Sequence, residues 1–208
     1  MIFAYNKEQV GDVLMVILQD TKPIARQVER KGKVARVYAE KDGHTLAWNI
    51  FEASSLMKLS GDGQVFPSPK DLEVLNRELA KEDFEEKLEA TPTPVFLVGQ
   101  IKKMKAHPDS DHLNICQVAI NPDKTVQIVA GAPNAAVGLK TIVALPGAMM
   151  PSGSLIFPGK LRGVDSYGMM CAPRELALPN APQKRGIIEL DDTAVVGEAF
   201  DPAKHWQR

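Results

Sequence analysis

Two prolines separated by a single residue, in Thr91-Pro92-Thr93-Pro94, constrain this chain more than any other feature of it. Proline lacks the amide that a helix or an inner strand needs, and it pushes the residue before it into extended backbone. Neither a helix nor a strand of a sheet is expected to run through the pair. The expected organisation is therefore a first domain over residues 1–90, a linker over 91–94 and a second domain over 95–208, each long enough to bury a core of its own.

The first part reads as a small α+β domain. Strands are expected near residues 1–5, 12–18, 34–39 and 45–50, with Asp42-Gly43 as the hairpin turn between the last two. Gly61-Asp62-Gly63 reads as a further turn, and a helix follows it. Ser68 with Asp71 three residues on forms a variant capping box, and Pro69 suits the first helical position. Leu72, Leu75, Leu79 and Leu88, with Phe84 out of phase, supply an apolar stripe. Glu82, Asp83, Glu85 and Glu86 make the other face acidic, so the domain is expected to end in an acidic helix with a solvated surface. The residues hold no nucleotide motif, no paired carboxylates and no nucleophile with a base nearby, and they assign this domain no role.

The second part has the punctuation of a small barrel. Apolar runs at 95–101, 113–120, 126–129, 141–145 and 186–190 are separated by clusters of Gly, Pro, Asn and Asp. Five short strands in about 100 residues suit an all-β OB-fold, a five-stranded Greek-key barrel. With hydrophobic residues at 44% and charged residues at 25%, the chain has ordinary globular composition. Its longest apolar runs, 13–18 and 141–145, fall far short of the roughly 20 residues of a bilayer helix. The first residues lack the basic region and apolar core of a secretory signal, so a cytoplasmic location is the expectation. Lys and Arg number 13 against 16 Asp and Glu in residues 1–90, and 12 against 10 beyond. A polyanion partner is thus not predicted by bulk charge and must rest on local arrangement.

Three local patterns carry chemistry. In the first, Lys102-Lys103-Met104-Lys105 runs into the tight loop His107-Pro108-Asp109-Ser110-Asp111-His112, whose Asp and Ser side chains are suited to capping backbone amides. In the second, Ala130-Gly131-Ala132-Pro133-Asn134 stops a strand and leaves an amide side chain at a corner. In the third, Lys160, Arg162 and the hydroxyl of Ser166 precede the apolar Met169-Met170-Cys171-Ala172.

In order and spacing these patterns resemble the tRNA-binding domain family, which includes the cytokine-like synthetase cofactors and the OB domain of the bacterial phenylalanyl-tRNA synthetase beta subunit. The resemblance spans about residues 95–200, and the chain as a whole is most similar to the small two-domain bacterial proteins of the YtpR type. Ser110 stands where Ala is usual and His112 where Lys is usual, and the loss of that lysine weakens what the resemblance implies about a phosphate contact at the loop. The resemblance implies tRNA as ligand, with Ser166 and Met169 near the RNA and Asn134 at a matching corner. A hydroxyl and an amide can read a base edge or a 2′-OH, and a methionine can pack on an unstacked base.

Lys103, Lys105, Lys160 and Arg162 are the expected phosphate contacts, with Lys102, Lys140 and Arg174 as further cations. Strand alternation sets Lys103 and Lys105 on one face and Lys102 on the other. Aromatic platforms are scarce, Tyr167 and Phe157 being the nearby ones, which favours recognition of folded RNA over a single strand. His107, His112 and Cys116 lack zinc-site spacing, and Asp109 and Asp111 lack the rest of a calcium loop, so no metal and no cofactor is expected. Cys116 and Cys171 read as buried free thiols. The expected function is non-catalytic RNA binding, with a homodimer as the expected assembly. The rival is a protein-interaction or dimerisation module whose barrel has lost RNA affinity. An enzyme would need Cys171 and His107 or His205 in one pocket, and nothing in the sequence joins them.

Overall fold

The computed structural model describes residues 1–20, 24–59 and 61–207, and it divides into two compact units, Met1–Thr91 and Pro92–Arg208. In the first unit the strands are β1 (Ile2–Tyr5), β2 (Val13–Ile17), β3 (Arg26–Lys31), β4 (Val34–Ala39), β5 (Thr45–Phe51) and β6 (Gly63–Val65). They form one sheet in the order β3-β4-β5-β2-β1-β6, antiparallel at every pairing. The one-turn helix α1 (Lys7–Val10) links β1 to β2, and α2 (Pro69–Lys81) follows β6. Alternation along β5 buries Leu46, Trp48 and Ile50. In register with them, Val16 lies opposite Trp48, Leu14 opposite Ile50, and Phe3 and Tyr5 opposite Val16 and Leu14. This face packs with Leu75 and Leu79 of α2. Each fully buried side chain of this size stabilises by about 1.5–3 kcal/mol.

The capping box at α2 is complete. Asp71 N donates to Ser68 Oγ, Ser68 N donates to Asp71, and Pro69 opens the helix. The expectation of an acidic helix end needs correcting. The helix stops at Lys81, and Asp83 takes a left-handed φ of 58°. Glu82 to Glu86 therefore belong to the chain leaving the helix, not to a helix face. Phe84 and Leu88 reach the core from that tail, Phe84 edge-on to Trp48 at 4.9 Å. Asn76 fastens the tail: its side chain accepts from Leu88 N at 2.7 Å and donates to Leu88 O at 3.0 Å.

The second unit is an OB-fold. Its strands are β7 (Phe96–Ala106), β8 (Asn114–Asn121), β9 (Lys124–Ala130), β10 (Lys140–Ala144), β11 (Gly159–Leu161), β12 (Val164–Ser166) and β13 (Met169–Met170), with the one-turn helix α3 (Pro202–His205) near the end. The sheet order is β13-β10-β7-β8-β9. The long β7 serves two neighbours, pairing with β10 through Phe96–Gln100 and with β8 through Gln100–Ala106, with an irregularity between Ile101 and Lys103. Gly99 sits at the change of partner, where a Cβ would lie 2.5 Å from Val143 and 2.9 Å from Val118. Only glycine lets the sheet fold this tightly. The barrel closes through 166–170: Val129 N of β9 donates to Ser166 Oγ, Tyr167 N donates to Gln127 O, and Val143 and Ala144 of β10 pair with Met170 and Met169.

The fifth strand is therefore Met169–Met170, and the expectation of a strand over 186–190 is corrected. That segment makes an isolated bridge from Leu190 to Lys140, and Ile188 N donates to Cys171 O. The β11–β12 hairpin lies between β10 and β13 in sequence and packs Val164 on Leu113, Ile115 and Val129.

Candidate nucleic-acid interface

The loop 107–113 joins β7 to β8, and its shape is set by its own polar atoms. His107 is buried, and its Nδ1 accepts from Asp109 N at 3.0 Å. That bond leaves Nε2 as the protonated nitrogen, which donates to Leu161 O at 3.2 Å. Ser110 Oγ accepts from Leu113 N at 3.3 Å. Of the side chains expected to cap amides Ser110 does so, and His107, which was not among them, is the loop's buried anchor.

The tip of the β11–β12 hairpin meets this loop. Arg162 and Gly163 form a two-residue turn with φ of 47° and 80°, a conformation that costs an L side chain about 1–2 kcal/mol at Arg162. Arg162 Nη1 donates to Asp109 O at 2.8 Å, so its guanidinium is partly committed to the loop. Lys160 faces Asp165 across the hairpin at 3.8 Å, an exposed pair of little weight. Lys103 and Lys105 are exposed on β7, opposite Gln117 and Ile115 of β8. Lys102 Nζ donates to Gln100. Lys140 Nζ donates to Asp192 O and Ala194 O, which uses two of its three protons inside the chain.

The two polar side chains singled out for reading RNA are engaged within the protein. Ser166 Oγ accepts from Val129 N at 3.1 Å. Asn134 accepts from Ile187 N at 2.9 Å and donates to Ile187 O at 2.9 Å and to Glu189 Oε1 at 2.7 Å. Met169 differs from both, because it lies half-buried on the wall of an open groove.

That groove, about 320 Å³, has an apolar floor of Leu113, Val129, Ala130 and Ala132. His112, Leu161, Arg174 and Arg185 stand around it with Met169. Arg185 Nη2 reaches Gly131 O at 3.4 Å and Arg174 Nη1 reaches Lys184 O at 3.3 Å, both long bonds that leave exposed guanidinium donors. The structure thus brings Met169 and Arg174 into one groove, sets Lys160 and Arg162 on the hairpin beside it, and keeps Lys103 and Lys105 on β7. Sequence reasoning missed Arg185, although Lys184-Arg185 just before the apolar run at 186–190 was a visible signal.

Both cysteines are free and buried, and burial pushes the Cys171 thiol up to about 12. Among the described residues no three His, Cys, Asp or Glu side chains cluster as a metal site, and no helix is long and apolar enough to cross a membrane.

Two family models match this chain: "Domain of unknown function (DUF4479)" over residues 21–91 and "Putative tRNA binding domain" over residues 96–199. The "Putative tRNA-binding protein YtpR" of Bacillus subtilis is 40% identical over 196 residues, covering 94% of this chain and 97% of that protein. The phenylalanine–tRNA ligase beta subunit of Rhodospirillum rubrum is 48% identical over 103 residues, which are 49% of this chain and 12% of the subunit. That of Paramagnetospirillum magneticum is 46% identical over 114 residues, 51% of this chain and 14% of the subunit.

Proposed function

The chain belongs to the tRNA-binding domain family, and from that premise we propose that it binds folded RNA, tRNA first, along the groove of its second unit without performing chemistry on it. The observation that carries this reading is the groove itself. It lies on the β8–β9 side of the barrel beside the β7–β8 loop and the insertion before β13, the face and loops with which OB-folds take up nucleic acids. The guanidinium groups of Arg174 and Arg185 supply phosphate contacts, and the apolar floor with Met169 suits a base or ribose edge. Lys103, Lys105, Lys160 and Arg162 extend the contact to phosphates farther along the RNA, while Ser166 and Asn134 hold the site's frame. A buried thiol pushed up to about 12 is a poor nucleophile, which supports a binding role over an enzymatic one. The protein acts in the cytoplasm, as a homodimer.

Filter binding of bulk tRNA against duplex DNA at two salt concentrations tests the reading. Preference for tRNA, abolished in Arg174→Ala combined with Arg185→Ala, is the expected result. Equal and weak retention of both nucleic acids overturns it and favours a protein-interaction module. The net charge of −1 and the commitment of Lys140 and Arg162 to backbone carbonyls speak for that second reading.

A further inference from the structure

We propose that the edge strand β3 of the first unit is a docking site for a protein partner, which adds an extended acidic segment to the sheet beside it. The site lies outside the groove and does not rest on the RNA reading. β3 is the last strand of its sheet and pairs with β4 alone among the described residues. Ala25 O accepts from Glu40 N, one step beyond the pair Arg26–Ala39. By alternation the odd-numbered residues bond to β4, while Arg26, Val28 and Arg30 turn their N–H and C=O groups outward. Such an edge is a template for one more strand. Prolines and bulges are common guards against it, and β3 has neither: six successive pairs run from Arg26 to Lys31 without a shift.

The side chains of the edge select its partner. Val28 stands opposite Val37, and Val37 opposite Ala47, on the face of the sheet turned away from Trp48 and α2. Val28 is 61% exposed there. Arg26 and Arg30 flank it on the same face, and the guanidinium of Arg30 lies over the Phe51 ring, 3.9 Å from its centroid. On the other face Lys31 pairs with Glu29 at 3.2 Å, so the charge of the strand that is not balanced within it sits at Arg26 and Arg30. The complement is an extended segment with an aliphatic residue opposite Val28 and a carboxylate two positions to either side. A second copy of β3 is a poor occupant. Antiparallel pairing centred on Val28 sets Arg26 opposite Arg30 twice, and pairing centred on Glu29 sets two carboxylates opposite each other. The two arginines thus turn like-charged strands away and leave the edge open to an acidic one.

The test uses the full chain and a labelled peptide, Thr-Glu-Thr-Val-Thr-Glu-Thr, against its counterpart with Lys in place of Glu, by fluorescence anisotropy at low salt. The Glu peptide should bind at least about tenfold more tightly, since two opposite-charge pairs replace two like-charge ones. Arg26→Glu combined with Arg30→Glu should reverse that preference. Val28→Pro removes an outward N–H and spares the hydrogen bonds to β4. It should abolish peptide binding and leave tRNA binding unchanged. In the wild type the Glu peptide should slow exchange of the Arg26, Val28 and Arg30 amides. Binding of neither peptide, equal affinity for both, or an unaltered preference in the double variant overturns the proposal. Displacement of the peptide by tRNA would make the edge an RNA surface, and exchange that slows with protein concentration alone would make it a contact between copies. Either result overturns the proposal as well.

Discussion

The hydroxyl of Ser166 accepts the backbone N–H of Val129 at 3.1 Å and thereby completes the closure of the barrel between β9 and the strand at Met169. Removing it leaves a buried donor without its partner, a cost of roughly 1–3 kcal/mol. Ser166→Ala should therefore lower the denaturant midpoint of the second unit. In the folded variant the salt slope of RNA binding should stay at the wild-type value. A reduced slope with unaltered stability would return Ser166 to the RNA surface.

Phosphate-binding side chains leave a different signature. Replacing Arg174 or Arg185 with Ala should weaken tRNA binding and reduce the log–log salt slope by roughly 0.7–0.9 for each phosphate no longer neutralised. The same measurement on Lys103→Ala and Lys105→Ala maps how far the RNA extends along β7. Unchanged slopes in both lysine variants would confine the RNA to the groove and the hairpin.

Limited proteolysis should cut near Thr91–Pro94 and release a C-terminal fragment that keeps tRNA binding. The first compact unit ends at Thr91 and the second begins at Pro92, so a cut there spares both cores. If the fragment folds but the tRNA affinity stays with residues 1–90, the RNA site lies in the first unit.

The carboxyl-terminal segment should loosen in acid. Glu198 meets Lys204 and His205, and accepts from Val195 N. These bonds, Lys204 foremost, bring its carboxyl from 4.5 down to about 2. A carboxylate whose folded value is depressed contributes stability that is full above its unfolded value. That contribution is lost as the pH falls from about 4.5 towards 2. The indole N–H of Trp206, which donates to Pro179 O at 2.7 Å, reports the change. Its exchange should accelerate over that window in the wild type and already be fast at neutral pH in Glu198→Gln. Equal exchange in the two proteins at neutral pH would sever the helix from this charge cluster.

Much of the architecture was legible because it is written in local chemistry. Asp42-Gly43 stands between β4 and β5, Gly43 with a φ of 75°, and Ser68 caps α2 as its spacing predicts. β3 escaped notice because an edge strand exposed along most of its length, Arg-Gln-Val-Glu-Arg-Lys, carries no apolar alternation to read. The run at 186–190 looked like a strand because it is apolar, yet burial there comes from packing on an extended segment, and its apolar pattern is the same in either case. At the candidate site, sequence pointed to loops that line or flank the groove but not to the bonds that each polar group makes. Ser166 is engaged by an N–H of β9 and Asn134 by the backbone of Ile187, which lies in irregular chain, and such needs appear only once the segments are placed. That His112, Met169 and Arg185 line one groove depends on segments far apart in sequence, which no local pattern encodes.

Asn134 grips Ile187 by its N–H and its carbonyl, as Asn76 grips Leu88 in the first unit. Neither asparagine asks anything of the side chain it holds, since every bond to that residue is to main chain. The stretch that carries Arg185 is thus docked at Ile187 through main chain, and Asn134 also holds the Glu189 carboxylate. The exposed side chain of Arg185 takes no part in those bonds, whereas Ile187 and Ile188 beyond it are buried in the core. A change at Arg185 therefore leaves the barrel's grip on this wall intact, and Asn134 is the position whose loss would release it.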